Sequence, residues 1–527
     1  LFYEWGAEIG GRALFGVEAA VSAAALFLPT LVMGGLFPAG LAAARLSRDR
    51  VGSSVGRLYA GNAAGGVLGA AAAGFLLIPA LGISGTIYLA VFIYIAVGAT
   101  FGAFTGVPRV FPRLARGAAV AAVGLAAVAL APKWDPLAMT SGVFEYVGNL
   151  GPGFDREDFQ DFLRDDWEIL YYREGAVSTV SVMWQPGRTR RLGGREIANV
   201  VYLTDGKADA SSVGDMHTQI MLAHGPLFLH RDPKRALVIG LASGTTAGSA
   251  LTHPLDKLDI VEIEPASVPG MHLFDFVNGR PLDDPRTTLK FADARSYLLA
   301  TDERYDVIIS EPSNPWMAGP ANLFTREFFQ IGADRLAHGG IFAQWLQMYN
   351  LDPELLRSVI STFHLVFPNV YVFNPLRKTD LILVGSDEPI DLDVARMGAD
   401  WMVPAVQQDL ARLGFTRLSD VLAQARLGPE EVAELGKGAP VSTDDNGLIL
   451  FGAPLHVHAM TDVANDQLLA QFSSSIAKYL RFPGATPEIK TRFLTSLADS
   501  YTASGFLWEA ALARGLADSR LDESVGG

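Results

Sequence analysis

No cysteine occurs among the 527 residues, which excludes disulfides, thiolate nucleophiles and cysteine-ligated zinc or iron–sulfur sites. Charge is also scarce: Asp, Glu, Lys and Arg make up 19% of the chain, against about 25% in ordinary soluble domains. The deficit is local. From Leu58 to Pro108 there are 51 residues without one Asp, Glu, Lys or Arg, and from Ala13 to Ala44 only Glu18. There is no Gly-Lys-Ser/Thr, which excludes a P-loop, and no His-Glu-x-x-His or clustered His/Asp set, so no metal is expected. Gly240-Leu-Ala-Ser-Gly244 puts Ser243 one place away from a G-x-S-x-G nucleophile elbow. The net charge of −14 argues against nucleic acid as a partner. Residue 1 is Leu, which reads as a fragment or a processed chain.

What is present divides unequally. A bilayer-crossing helix needs about 20 apolar residues. The long uncharged run therefore holds two, Ala60–Pro79 and Ser84–Phe104, joined by Ala80–Ile83. The earlier run supplies a third, expected to break or kink near Pro29 and Pro38. Gly117–Ala131 is a fourth candidate, short for a span. Residues 1–133 thus read as three or four transmembrane helices in an integral membrane protein of a bacterial cell membrane, with the lipid bilayer as a partner. Arg45, Arg48, Arg50 and Arg57, and later Arg109, Arg113 and Arg116, mark cytoplasmic loops by the positive-inside rule. If Gly117–Ala131 spans, the rest of the chain lies outside; if it does not, the rest is cytoplasmic.

From Trp134 the composition is that of a globular protein. Residues 134–225 carry alternating segments, Val177–Trp184 and Asn199–Leu203, with turn signals at Gln185-Pro186-Gly187 and Asp205-Gly206. These predict a small β domain. Residues 226–460 alternate strand and helix, with strands expected at Lys234–Ile239, Leu258–Ile263, Thr288–Phe291, Tyr305–Ser310, Ile341–Gln344, Val370–Phe373 and Leu381–Val384. That pattern indicates an α/β Rossmann-like, doubly wound and mostly parallel sheet of the methyltransferase type. Residues 461–527 read as a helical tail. The fold class is therefore multi-domain.

In such sheets ligands bind beyond the carboxyl ends of the strands. The Gly240–Gly248 turn follows the first strand, and Glu262 closes the second, 22 residues after Gly240. That is the usual place for a carboxylate holding ribose hydroxyls. Asp293 follows the third strand, as a ligand contact or as N-cap of the next helix. The fourth strand delivers Glu311, then Asn314 and a Pro/Gly-rich loop. A nucleoside ligand fits; Ala242, standing where dinucleotide folds carry a glycine, favours an adenosyl sulfonium over a pyrophosphate.

The set Val238–Gly248, Val261-Glu-Ile-Glu-Pro265 and Tyr305–Phe329 resembles the spermidine synthase (polyamine aminopropyltransferase) family, most of all its membrane-integrated branch. Asp205–Ser211, Gly214–Gln219, Leu222–Pro226 and Ser442–Asn446 fit the same branch. The resemblance implies transfer of the aminopropyl group of decarboxylated S-adenosylmethionine, as co-substrate, to a small-molecule polyamine such as putrescine, with no metal. It implies Glu262 on the ribose, Asp293 on the adenine, Gly240 and Gly244 along the cofactor, and Glu311 in the catalytic position. Three departures bear on the acceptor. Glu311 replaces an aspartate, Asn314 replaces a second acid, and Asp209 and Gln219 stand where soluble members carry Gln and His. Asp209 and Asp215 are candidates to restore charge toward the amine. Tyr202, His224, Asp444 and Asp445 are weaker candidates, each with a core or turn reading beside the functional one.

The same fold serves S-adenosylmethionine-dependent methyltransferases. A non-catalytic membrane carrier or sensor for a nucleoside or polyamine is the alternative from another class. The family's cytosolic precursors favour a cytoplasmic catalytic domain, and homo-oligomerisation is open.

Overall fold

The computed structural model describes residues 11–43, 51–104, 110–131, 133–146, 161, 163–192, 194–317 and 319–525. Arg45, Arg48, Arg50 and Arg109 lie outside the described residues. Four long helices come first: Gly11–Ala43, Val51–Ala72 with a π-turn at Ala73–Leu77, Ile78–Phe104, and Val110–Leu130. The first is one continuous helix through Pro29 and Pro38, so of the expected break or kink the break is absent. A lone proline removes one amide donor, and the Thr30 hydroxyl donates to the Leu26 carbonyl at 2.7 Å alongside it. The break expected at Ala80–Ile83 is present at Gly82, whose φ of 74° and ψ of 175° leave the helical region. The fourth helix begins earlier than the apolar run suggests, at Val110, because its arginine-bearing first turns are helical too.

Strands β1 (Glu168–Glu174), β2 (Thr179–Leu192), β3 (Arg195–Thr204) and β4 (Lys207–Ser211) form an antiparallel meander. Asp205 and Gly206, at φ 49° and 84°, make the two-residue turn between β3 and β4. The Gln185-Pro186-Gly187 signal does not end a strand. β2 continues through it, and the register against β3 shifts between Trp184 and Thr189, so the extra residues form a bulge.

The second sheet contains β5 (Arg235–Ile239), β6 (Lys257–Glu262), β7 (Thr287–Phe291), β8 (Tyr305–Ser310), β9 (Leu336–Gln347), β10 (Asn369–Leu376), β11 (Asp380–Ser386) and β12 (Ala425–Leu427). Their spatial order is β12-β10-β11-β9-β8-β5-β6-β7. β5 to β9 pair in parallel, whereas β10 and β11 form an antiparallel hairpin. The expected alternation with helices therefore fails after β10: only Arg377, Lys378 and Thr379 separate it from β11, too few for a crossover. Helices cover both faces, and each face packs its own core. One includes Ile220, Val238, Ile260 and Ile309, the other Leu237, Ile308, Phe328 and Phe363.

Two expected boundaries do not interrupt the packing. Helix Met216–Leu229 crosses residue 225 and lies against β8 to β11. Beyond 461, Leu494, Leu497 and Tyr501 join the same core as the sheet, and the Tyr501 hydroxyl donates to the Ala425 carbonyl at 3.0 Å.

Candidate active site

Parallel strands put their carboxyl ends on one edge, so the residues following β5, β6, β7 and β8 converge. There a cleft of about 390 Å³ opens between the two sheets, lined by Gly240, Glu262, Asp293 and Glu311 from one side and Tyr202, Asp209 and Asp215 from the other. Six of the eight residues singled out from sequence thus share one cavity.

Gly240 has φ 95°, and a Cβ there would stand 2.7 Å from the Glu311 carbonyl oxygen. Glycine is required because the backbone leaving β8 crosses over it. Glu262 is buried, and each of its carboxylate oxygens already accepts one backbone amide, Leu241 at 2.9 Å and Glu264 at 2.8 Å. Burial raises its pKa, against these amides. The Ile263 amide also acts on it, and because a carboxylate offers about four lone-pair sites, acceptor capacity remains toward the cleft. Asp293 both lines the cleft and caps the helix Ala294–Ala300, accepting Ser296 N–H at 2.8 Å. The cap is thus observed, and its place on the cleft wall leaves the ligand role open to it.

Gly244 and Asn314 are placed differently. Gly244 lies outside the cleft lining, at the N-cap of a short helix, and a Cβ there would meet Met271 and Pro281. Its need for glycine comes from φ 75° and from packing. Asn314 is fully buried behind the lining, and its Nδ2 reaches the Tyr349 hydroxyl at 3.4 Å.

The far half of the cleft is acidic. The Thr246 hydroxyl donates to Oε2 of Glu311 at 2.7 Å. Burial pushes the Glu311 carboxyl up to about 8 against that hydrogen bond, helped by the charges of Asp209, Asp215 and Asp380. Burial raises Asp215 as well. Asp380, on β11, is pushed up to about 7 by burial, although it accepts from the Thr218 hydroxyl at 2.7 Å and from Trp345 Nε1 at 3.2 Å. Asp209 accepts from Ser313 Oγ at 2.8 Å and from the buried ammonium of Lys207 at 3.2 Å. Lys207 Nζ also lies 5.8 Å from the Trp345 ring centre. Asp380, Trp345 and Tyr349 carry no motif and come from scattered positions, and Lys207, although inside the Asp205–Ser211 motif, was not singled out; sequence reasoning missed all four.

Of the weaker candidates, Tyr202 lines the cleft and its hydroxyl donates to Ser267 at 2.8 Å. His224 is elsewhere, buried between His253 (2.8 Å) and Asp409 (3.0 Å). Asp444 pairs with Arg295 on the rim. Among the described residues no group of three or more His, Asp or Glu is arranged to hold a metal.

Residues 216–377, which hold the glycine turn and three of these acids, match the spermine/spermidine synthase domain. This domain belongs to the spermidine synthase family. It is 31% identical over 175 residues to a polyamine aminopropyltransferase of Thermotoga petrophila, covering 33% of this chain and 59% of that one. A polyamine aminopropyltransferase of Bacillus subtilis is also 31% identical over 175 residues, covering 33% and 62%. A putrescine N-methyltransferase 2 of Nicotiana tabacum is 32% identical over 170 residues, covering 32% and 48%. The chain therefore spans about six-tenths of the length of the two aminopropyltransferases. A solved spermidine synthase of Thermotoga maritima shows 20% identity and a TM-score of 0.37, over 57% of this chain and 88% of that one. Of the residues noted in the sequence, Glu311, Asn314 and Gln219 lie within the matched domain and Asp209 just ahead of it.

Proposed function

We propose that the protein is a membrane-anchored aminopropyltransferase acting on decarboxylated S-adenosylmethionine and an amine such as putrescine. The observation that carries this reading is Glu311, a buried carboxyl with a pKa near 8 in an acidic pocket next to a nucleoside-type cleft. In the reaction the neutral amine nitrogen forms a bond to the propyl carbon on sulfur. The carbon–sulfur bond breaks with its electron pair moving to sulfur, which leaves methylthioadenosine. The amine's surplus proton goes to the Glu311 carboxylate. A base with a pKa near the working pH suits that transfer, and the cleft walls hold the two reactants in line. Glu262 and Asp293 are assigned to the ribose and adenine, Asp209, Asp215 and Asp380 to the amine. Asn314 is assigned to holding Tyr349 in place, with no direct contact to the amine.

Four acids, Asp209, Asp215, Glu311 and Asp380, line the amine half against one lysine. This balance supports a donor without a carboxylate on its tail. Lys207 is the observation that favours a second reading, S-adenosylmethionine-dependent methyl transfer, because an ammonium there can pair with the methionine carboxylate. Membrane anchoring is supported by two segments long and apolar enough to cross a bilayer, Gly16–Pro38 and Val55–Ala103, whose side chains are not buried against the protein.

The test is incubation of purified protein with either donor and a panel of amines, with products read by mass spectrometry. Methylthioadenosine from the decarboxylated donor supports the assignment. S-adenosylhomocysteine from the other donor transfers it to methylation, and an intact donor with every amine refutes both.

A further inference from the structure

The arginine-bearing ends of the membrane helices and the synthase domain lie at opposite ends of those helices. At the start of the first span, Glu18 bonds His458 of the synthase domain at 3.2 Å. At the Gly82 break, the amides of Ile83 and Ser84 donate to the Glu174 carboxylate of β1, the second at 3.3 Å. Past the end of the last helix, Trp134 Nε1 donates to the Tyr172 hydroxyl at 3.3 Å, and that hydroxyl donates to Glu174 at 2.8 Å. Three helix ends thus meet the domain, with a Trp and a Tyr at the junction, as expected where a helix leaves the hydrocarbon.

The other ends point away. Phe37 meets Tyr59 at a ring separation of 6.2 Å, so the close of the first helix lies beside the start of the second. The residues joining these two ends include Arg45, Arg48 and Arg50, and Arg57 follows in the first turns of the second helix. The last two helices are antiparallel neighbours, with Gly124 against Ile95, Gly98 against Val120, and Gly102 against Arg116 and Gly117. Val110–Leu130 therefore returns toward the domain; its apolar part after Arg116 extends about 21 Å, so it crosses with its arginine-bearing first turns at the distal surface. Arg113 and Arg116 lie in its first two turns, and Arg109 precedes it in the sequence.

Counted along the sequence alone, the flanks of the distal ends carry seven arginines (Arg45, Arg48, Arg50, Arg57, Arg109, Arg113 and Arg116), whereas the flanks of the domain-side ends carry Arg12 and Lys133. Short cytoplasmic loops carry the excess of Lys and Arg. We infer that the synthase domain stands on the membrane face opposite the cytoplasm and draws its amine from that side. This inference rests on the membrane-spanning reading and replaces the cytoplasmic placement expected from the family's precursors. The sulfonium donor, a permanent cation, must then be delivered across the bilayer by a carrier.

The cysteine-free chain makes the test direct. Met402→Cys and Leu365→Cys, both exposed on the domain, and Gly52→Cys, with open space around it, are each labelled with a membrane-impermeant maleimide in intact and lysed bacterial spheroplasts. The expected result is equal labelling of both domain cysteines before and after lysis, and labelling of Gly52→Cys only after it. A domain cysteine that labels only after lysis overturns the inference. Release of the chain from membranes by alkaline carbonate removes the membrane reading and the inference with it. As a second readout, intact spheroplasts given decarboxylated S-adenosylmethionine and putrescine should form methylthioadenosine without lysis. Turnover that appears only on lysis counts against the placement. No turnover even in lysates refutes the proposed activity, while the labelling still decides the side.

Discussion

Replacing Glu311 by Gln should move activity and stability in opposite directions. A carboxyl shifted by burial from 4.5 to about 8 holds its proton more tightly folded than unfolded. Because the folded pKa is raised, the stability contributed by the neutral form is complete below about pH 4.5 and is lost as pH rises through 8. At about 1.36 kcal/mol per unit, the full window amounts to an upper bound of about 5 kcal/mol, of which about 3 kcal/mol falls between pH 6 and pH 9. Gln keeps an acceptor for the Thr246 hydroxyl and has nothing to titrate. The stability difference between Glu311→Gln and the parent should therefore widen by about 3 kcal/mol from pH 6 to pH 9, read by thermal unfolding in detergent. Over the same range kcat/KM of the parent should rise about tenfold between pH 7 and pH 9, because about one-tenth of the carboxyl is ionised at pH 7. The variant should lose this limb and about 100-fold or more in rate. A stability difference that stays flat with pH would refute the buried neutral acid. Full turnover by the variant would remove Glu311 from the chemistry.

Asp380→Asn should raise the KM for the amine about tenfold, the loss of a charge-assisted contact of about 1.5 kcal/mol, and leave the donor KM unchanged in steady-state kinetics. Gly248→Ala would drive a Cβ into the Asn278 carbonyl oxygen; a loss of at least about 3 kcal/mol is expected in thermal unfolding. Glu174→Ala leaves the Ile83 and Ser84 amides without their carboxylate, a cost of about 1 kcal/mol by analogy with a lost helix cap. Hydrogen exchange at those two amides should speed up, with β8 unaffected.

The parallel half of the large sheet was legible because each β-α step leaves a local mark: a short apolar strand, a glycine turn, then an acid at the next strand's end. Gly240, Glu262, Asp293 and Glu311 were found by that rule, and the cleft contains all four. The same rule misplaced the hairpin β10–β11, since a three-residue link and a crossover leave similar apolar strands behind. It also read Gln185-Pro186-Gly187 as a turn, because a bulge uses the same residues. Gly244 carries a glycine signal that packing against Met271 explains as well as a ligand does.

By itself the sequence determined where lipid-compatible helices lie, that thiol chemistry is absent, and which acids terminate parallel strands. These properties depend on composition or on spacing within about 25 residues. Tertiary structure alone decided that Lys207 and Asp380 join Asp209, Asp215 and Glu311, already singled out from sequence, in one acidic half of the cleft. Burial there sets the protonation of Glu311, and no local pattern encodes how much water a distant strand will exclude. The structure also decided which ends of the long apolar helices face the domain. The arginines were visible from the start; only the contacts of Glu18, Ile83 and Ser84 relate them to the active site.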